Sequence, residues 1–275
     1  MNTFDIAPGL SIGPGKPLVL LAGPCVLESD EINCQIAETV AEICADLGIQ
    51  YIFKASFDKA NRTSINANRG PGIEKGCDKL FAIKQRYKCP VVSDVHDVEQ
   101  IGHAKQVLDL LQIPAFLCRQ TDLLLAAGES GCAINVKKGQ FLAPEDMGQV
   151  LKKIYSTGNQ RVALCERGTT FGYHNLVVDM RGLKVMSDLG APVIFDATHS
   201  VQKPGGQGDK SGGNPEFIAP LARAAAAVGI QGLFMEVHPR PAEALSDGPN
   251  SLPLTQVRDT LTQIVKLRKA LYGHA

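Results

Sequence analysis

Eight short apolar runs punctuate the chain, each followed by a longer stretch with helical spacing. The runs are "PLVLLAG" (17–23), "YIFKAS" (51–56), "PVVSDV" (90–95), "LLQIPAF" (110–116), "AINVKKG" (133–139), "VALCERG" (162–168), "PVIFDATH" (192–199) and "GLFMEVH" (232–238). Their apolar residues are continuous rather than alternating, which is the pattern of strands covered on both faces in a parallel sheet. Between them, "NCQIAETVAEICADLG", "DVEQIGHAKQVLDL", "PEDMGQVLKKIYSTG" and "PEFIAPLARAAAAVG" carry helix-like patterns. The glycines ending several of these fit helix C-terminal caps.

Eight such units in 275 residues predict a (β/α)8 TIM barrel. A doubly wound sheet is the alternative, but its G-x-G-x-x-G fingerprint is missing after the first run. Residues 1–16 read as a short hairpin around "APG" or "GPG", placed to close the barrel bottom. No linker-like stretch divides the chain, so 1–275 is expected to form one barrel domain.

Charge changes the picture mainly by exclusion. Lys and Arg number 28 and Asp and Glu 28, so no global field attracts nucleic acid or an anionic membrane. With no Trp and 5% aromatic residues, a base-stacking surface is a poor fit. The first residues lack the basic start and apolar stretch of a secretory signal, and no apolar run approaches the roughly 20 residues of a membrane helix. A cytoplasmic location is expected. Cys25, Cys34, Cys44, Cys77, Cys89, Cys118, Cys132 and Cys165 show no C-x-x-C pairing and read as reduced thiols.

In such a barrel the chemistry sits at the carboxyl ends of the strands. Those positions are Cys25, Lys54, Asp94, Gln112, Lys137, Arg167, His199 and Glu236. Any one of them could be a surface ion pair; a full ring predicts a site. Lys54, Lys59, Arg62, Lys137 and Arg167 would converge in one mouth, which calls for a polyanionic ligand such as a phosphate with a carboxylate plus a second phosphate. The second loop, "FKASFDKANRTS" (53–64), offers donors for a phosphorylated polyol. The seventh, glycine-rich at 199–217, reads as a lid that excludes water.

Cys25 follows "AGP", and three readings compete for it: packing, nucleophile or metal ligand. Barrel closure would bring Cys25, His199, Glu236 and Asp247 together, because the eighth strand pairs with the first. One thiolate, one imidazole and two carboxylates suit Zn2+, Fe2+, Mn2+ or Co2+, and suit Mg2+ or Ca2+ poorly. As a nucleophile, Cys25 would have His199 as its base. The spacing favours the metal.

The motifs "AGPCVLES", "FKASFDKANRTS", "NVKKGQF", "ERGTTFGY", "DATHSVQKPGG" and "EVHPRPAEALSDGPNSLPL" resemble, in order, those of the 3-deoxy-D-manno-octulosonate 8-phosphate synthase family. The resemblance implies a homotetrameric (β/α)8 barrel that condenses phosphoenolpyruvate with D-arabinose 5-phosphate on the way to the inner sugar of lipopolysaccharide. The related 3-deoxy-D-arabino-heptulosonate 7-phosphate synthases typically carry Lys-Pro-Arg-Thr-Ser where this chain has Lys59-Ala60-Asn61-Arg62-Thr63-Ser64. Metal-independent members have Asn at the position of Cys25, so the resemblance implies the metal-dependent class, with Cys25, His199, Glu236 and Asp247 as ligands.

By the same resemblance, Lys54, Lys59, Gln112, Lys137 and Arg167 would hold phosphoenolpyruvate. Asn61, Arg62 and Thr63 would hold the sugar phosphate, with Asp94 nearby. Lys54, Asp94, Lys137 and His199 are the implied catalytic set, and Phe116 and Arg119 would reach the neighbouring subunit's site. His174 stands where the family more often has Asn or Asp; it lies beyond the predicted site and does little to the assignment. A Schiff-base aldolase using Lys54 or Lys137, and a non-catalytic sugar-phosphate binding barrel, are the competing classes.

Overall fold

A computed structural model describes residues 1–205 and 212–274. A hairpin opens the chain, with β1 (Phe4–Ala7) and β2 (Leu10–Ile12) turning at Pro8-Gly9, the "APG" site. Six parallel strands follow: β3 (Val19–Gly23), β4 (Gln50–Lys54), β5 (Val91–Asp94), β6 (Leu110–Ile113), β7 (Ala133–Lys137) and β8 (Val162–Glu166). Beyond a small ribbon of β9 (Thr169–Thr170) and β10 (Leu176–Val177) comes β11 (Val193–Asp196). A second ribbon, β12 (Gln202–Lys203) with β13 (Gly212–Gly213), precedes β14 (Gly232–His238), and β15 (Leu252–Pro253) pairs with the end of β14. Because β14 pairs in parallel with both β11 and β3, the eight main strands close into the expected barrel.

The helices α1 (Asp30–Leu47), α2 (Ile73–Tyr87), α3 (Val98–Ala104), α4 (Thr121–Glu129), α5 (Met147–Tyr155), α6 (Met180–Asp188), α7 (Ile218–Val228) and α8 (Val257–Tyr272) lie between and after the strands. Local chemistry sets their ends. Ser29 caps α1 by accepting the Ile32 N–H, and Gly48 ends it in the left-handed region. Asp97 caps α3 in the same way, through the Gln100 N–H. Ile36, Val40 and Ile43 bury one face of α1 against the sheet.

The barrel interior explains where the polar residues stand. Leu21, Ile52, Val92, Leu110, Ala133, Ala163, Ile194 and Phe234 belong to its apolar filling, and Phe4, Ile6, Leu10 and Ile12 of the hairpin join them from below. Strand side chains alternate, so two residues further along each strand face the same way. That step gives Gly23, Lys54, Asp94, Gln112, Asn135, Cys165, Asp196 and Glu236. A polar tier therefore rests on an apolar one.

Every barrel strand but β14 is shorter than its apolar run. The fourth run reaches Phe116, but β6 stops at Ile113 because Pro114 has no N–H to continue the ladder, and a 3-10 turn (Ala115–Leu117) follows. The fifth run stops at Lys137, and the seventh at Asp196, leaving His199 in a 3-10 turn (His199–Val201). The lid expected over 199–217 lies in part, at 206–211, outside the described residues. All eight cysteines are free. Among the described residues no helix is long and apolar enough to cross a membrane.

Candidate active site

The mouth begins with a close approach. A Cβ on Gly23 would overlap the Lys54 carbonyl oxygen, so the "AGPC" corner needs glycine there to bring Cys25 over the barrel. Lys54, 1% exposed, points its Nζ at the Cys25 carbonyl oxygen (2.9 Å) and Glu236 Oε1 (3.2 Å). Lys59 Nζ lies 3.8 Å from the same carboxylate oxygen. Across the mouth, Lys137 Nζ bonds Asp196 Oδ2 at 2.6 Å and sits 3.8 Å from the Phe234 ring centroid. Burial, then the neighbouring Lys59, lowers the pKa of Lys54, with Glu236 opposing. Burial also works against ionising Lys59, but Cys25 and Glu236 outweigh it and raise its pKa.

A hydrogen-bonded chain crosses the tier. Ser56 Oγ donates to Asp94 Oδ2 (2.5 Å), Gln112 Nε2 to Asp94 Oδ1 (2.6 Å), and Asn135 Nδ2 to Gln112 Oε1 (2.9 Å). The Gln112 amide is thus engaged on both sides. Burial opposes ionisation of Asp94, yet Lys54, Lys59 and Lys137 hold it well below the usual carboxylate range.

On the far side Arg167 Nη2 donates to Gln202 Oε1 at 3.0 Å, while Gln202 Nε2 donates to Asp247 Oδ1 at 3.2 Å. One amide joins the guanidinium to the carboxylate. Burial lowers the Arg167 pKa, with Asp196 and Asp247 opposing.

Cys25, Glu236 and Asp247 each present a donor atom within 4.8 Å of the others, a possible metal site. Cys25 Sγ lies 2.9 Å from Ser246 Oγ and 3.1 Å from Asp247 Oδ2. His199, the fourth expected ligand, is outside that compact set; its Nε2 reaches Glu236 Oε1 at 3.4 Å and Asp247 Oδ2 at 4.0 Å. Its Nδ1 lies 2.8 Å from Asp196 Oδ2, close enough for an ion pair although out of line for a hydrogen bond. Burial opposes the charge on Asp247, but His199 and Lys59 bring its pKa down to about 2. Burial raises the Cys25 pKa, and Asp247 and Glu236 raise it further. Asp247 is one of few non-glycine residues in the left-handed region (φ 50°), a cost carried where the donors meet.

Among the described residues, several buried polar atoms of the mouth have no hydrogen-bond partner: Arg167 Nη1, Arg62 Nη2, Asn135 Oδ1 and Glu236 Oε2. Native interiors seldom leave such groups unpaired, and clustering of cationic and anionic examples marks a place for ligands. A second groove, of about 530 Å³, lies outside the barrel and is lined by Asp30, Cys34, Glu38 and Arg86 among others.

The other expected residues are less buried. Asn61 and Thr63 are exposed on the second loop, and Arg62 is half-buried with its Nε bonded to the Asn68 carbonyl (2.9 Å). Phe116, 55% exposed, and Arg119 are on the outer surface beyond β6. His174 is not idle: its Nδ1 lies 2.6 Å from the Pro204 carbonyl oxygen, tying the sixth loop to the seventh. Sequence reasoning missed Asp196, Gln202, Asn135 and the fully buried Lys138, which pairs with Glu166 at 3.6 Å. Asp196 and Asn135 were reachable by the two-residue step from Ile194 and Ala133; Gln202 and Lys138 carried no local signal.

Comparison with known proteins accords with this geometry. The model of the DAHP synthetase I family matches residues 3–272. The 2-dehydro-3-deoxyphosphooctonate aldolase of Desulfotalea psychrophila is 58% identical over 260 residues, covering 94% of this chain and 93% of its own. The protein of the same name from Desulfatibacillum aliphaticivorans is 56% identical over 269 residues, 98% of each chain. That from Syntrophotalea carbinolica is 57% identical over 273 residues, 99% of this chain and 98% of its own. A match of this extent, on a barrel whose mouth gathers these side chains, makes the chain a member of the DAHP synthetase I family.

Proposed function

We propose that the protein condenses phosphoenolpyruvate with D-arabinose 5-phosphate, giving 3-deoxy-D-manno-octulosonate 8-phosphate and inorganic phosphate. The observation that carries this reading is the set of unpaired buried polar atoms in a mouth lined by Lys54, Lys59, Lys137 and Arg167. The relatives' name supports it, since an eight-carbon phosphorylated acid divides into a three-carbon and a five-carbon substrate.

Lys137 and Arg167 neutralise the phosphate and carboxylate of phosphoenolpyruvate, with Lys54, Lys59 and Gln112 around them. Asn61, Arg62 and Thr63 hold the sugar phosphate from the second loop. Carbon 3 of phosphoenolpyruvate bonds to the aldehyde carbon, whose oxygen takes a proton. Carbon 2, left electron-poor, takes up water, and the resulting hemiketal phosphate loses phosphate as its C–O bond breaks. Orientation of two anions in a dry mouth supplies much of the acceleration.

The donor set fits a divalent transition metal. Among the described residues Glu236 Oε2 is buried without a partner, and sulfur, nitrogen and carboxylate donors together match Zn2+, Fe2+, Mn2+ or Co2+. Cys25, His199, Glu236 and Asp247 would hold the ion, which supplies Lewis acidity for the aldehyde or the water. The assembly we favour is a homotetramer in which Phe116 and Arg119 face a neighbouring site.

Phosphate release from the two substrates, before and after chelation, tests the proposal. Release that is lost on chelation and restored by Mn2+, Fe2+, Zn2+ or Co2+ is expected. Release with erythrose 4-phosphate alone would overturn the sugar assignment, and a borohydride-trapped adduct would favour a Schiff-base aldolase.

A further inference from the structure

The loop after β3 carries a buried carboxylate that the proposed reaction leaves without a task. Glu28 lies three residues past Cys25 and is 9% exposed. Both of its oxygens are committed to the opposite end of the chain. Oε1 accepts the Leu245 N–H at 3.1 Å, and Oε2 lies 3.3 Å from His238 Nε2. The latter is an ion-pair distance, with the ring N–H out of line for a full hydrogen bond. His238 Nδ1 accepts the Arg240 N–H at 3.0 Å, so the proton of a neutral ring belongs on Nε2, facing Glu28.

Glu28 is itself held firmly. Asn33, on α1 and 1% exposed, accepts the Glu28 N–H at Oδ1 (3.2 Å) and donates from Nδ2 to the Glu28 carbonyl (3.1 Å). Both backbone groups of Glu28 are therefore tied to the first turn of a helix.

The spacing gives this arrangement its meaning. Leu245 is two residues before Asp247, His238 two residues after Glu236, and Glu28 three residues after Cys25. Each of the three segments that bring a donor to the 4.8 Å cluster thus has a second anchoring point, and all three anchors meet at one carboxylate. A buried carboxylate costs free energy unless its partners repay it. We infer that Glu28 is a positioning residue that fixes the segments bearing Cys25, Glu236 and Asp247 in a single metal-binding geometry. This inference rests on the metal reading given above. Groups that orient ligands from outside the coordination shell typically change metal affinity 10–100-fold when removed.

The test is a Co2+ titration of chelator-stripped full-length protein, read through the thiolate-to-cobalt charge-transfer absorption and the d–d bands. The wild-type protein should bind with a thiolate band. Glu28→Ala should weaken binding about 10–100-fold while the thiolate band persists at saturation. Glu28→Gln should fall between, because its amide oxygen still accepts the Leu245 N–H. Leu261→Ala, a fully buried site on α8, serves as the control for general destabilisation. It should lower the thermal midpoint and leave cobalt affinity unchanged. Wild-type affinity in Glu28→Ala would overturn the inference and spare the metal reading; a wild-type protein without a thiolate–cobalt band would overturn both. If Glu28→Ala does not fold, Glu28→Gln and His238→Gln carry the same test, and unchanged affinity in both overturns the inference.

Discussion

Cys25 and Asp247 are separated by 222 positions in the chain, yet Cys25 Sγ and Asp247 Oδ2 lie 3.1 Å apart at the barrel mouth. The pairing of β3 with β14 brings them together, and the left-handed backbone at Asp247 turns its carboxylate toward the thiol. If they share an ion, Cys25→Ser exchanges a soft donor for a weak hard one. Metal content after dialysis should fall by about an order of magnitude or more, with phosphate release falling alongside it. Full metal occupancy in Cys25→Ser would return the thiol to a packing role.

Gln202 couples the guanidinium of Arg167 to the carboxylate of Asp247. Losing hydrogen bonds to two charged groups costs about 1.5–3 kcal/mol each, and 1.4 kcal/mol is a tenfold effect. Taking the bond to Arg167 as the one that phosphoenolpyruvate feels, Gln202→Ala should lower kcat/KM for that substrate about 10–100-fold. Gln202→Glu should be worse, since its second carboxylate oxygen would face Asp247. Steady-state kinetics on both variants decides, and equal activity of the two would refute the bridge.

Lys138 and Glu166 form a buried pair at 3.6 Å, and Glu166 Oε1 also accepts the Gly168 N–H at 2.6 Å. Burial raises the Glu166 pKa, with Lys138 opposing. Lys138→Met strands the carboxylate and should cost about 3–5 kcal/mol. Adding Glu166→Gln removes the stranded charge and keeps an acceptor for Gly168, so the double variant should regain most of the loss. Urea unfolding of the three proteins measures this, and additive losses would contradict it.

Asp94 imposes an acid limit on stability. Burial opposes its charge, but Lys54, Lys59 and Lys137 hold its folded-state pKa below the ordinary 3.8. A depressed folded value means that the unfolded chain takes up the proton first as the pH falls. The stabilisation is therefore complete above about pH 4–5 and is lost as the pH drops below that. Asp94→Asn should flatten this limb, so that its urea midpoint changes less than that of the wild type between pH 5 and 3. Parallel curves would show that other carboxylates dominate.

Phe116 places an aromatic ring in solvent three residues before exposed Arg119. If a neighbouring subunit covers this corner, Phe116→Asp should shift the protein from tetramer to smaller species in sedimentation while leaving the circular dichroism of the barrel unchanged. An unaltered mass would place the interface elsewhere.

The continuous apolar runs determined the eight strands, because a strand buried on both faces has no polar side to show. The same runs revealed Lys54, Asp94, Gln112 and Glu236, since the two-residue period carries an inward face from the apolar filling into the polar tier. The sequence singled out Lys137 at the end of its strand and gave Lys138 no role. The two lysines are adjacent, and only the tertiary fold sets one against Asp196 in the mouth and the other against Glu166 beneath the loops. Gln202 and Glu28 were hidden for a related reason. Each acts through partners from distant segments, Asp247 for one and His238 and Leu245 for the other, and those contacts exist only once the last strand has closed on the first. The chain's periodicity determined which residues face inward, and barrel closure decided which of them meet.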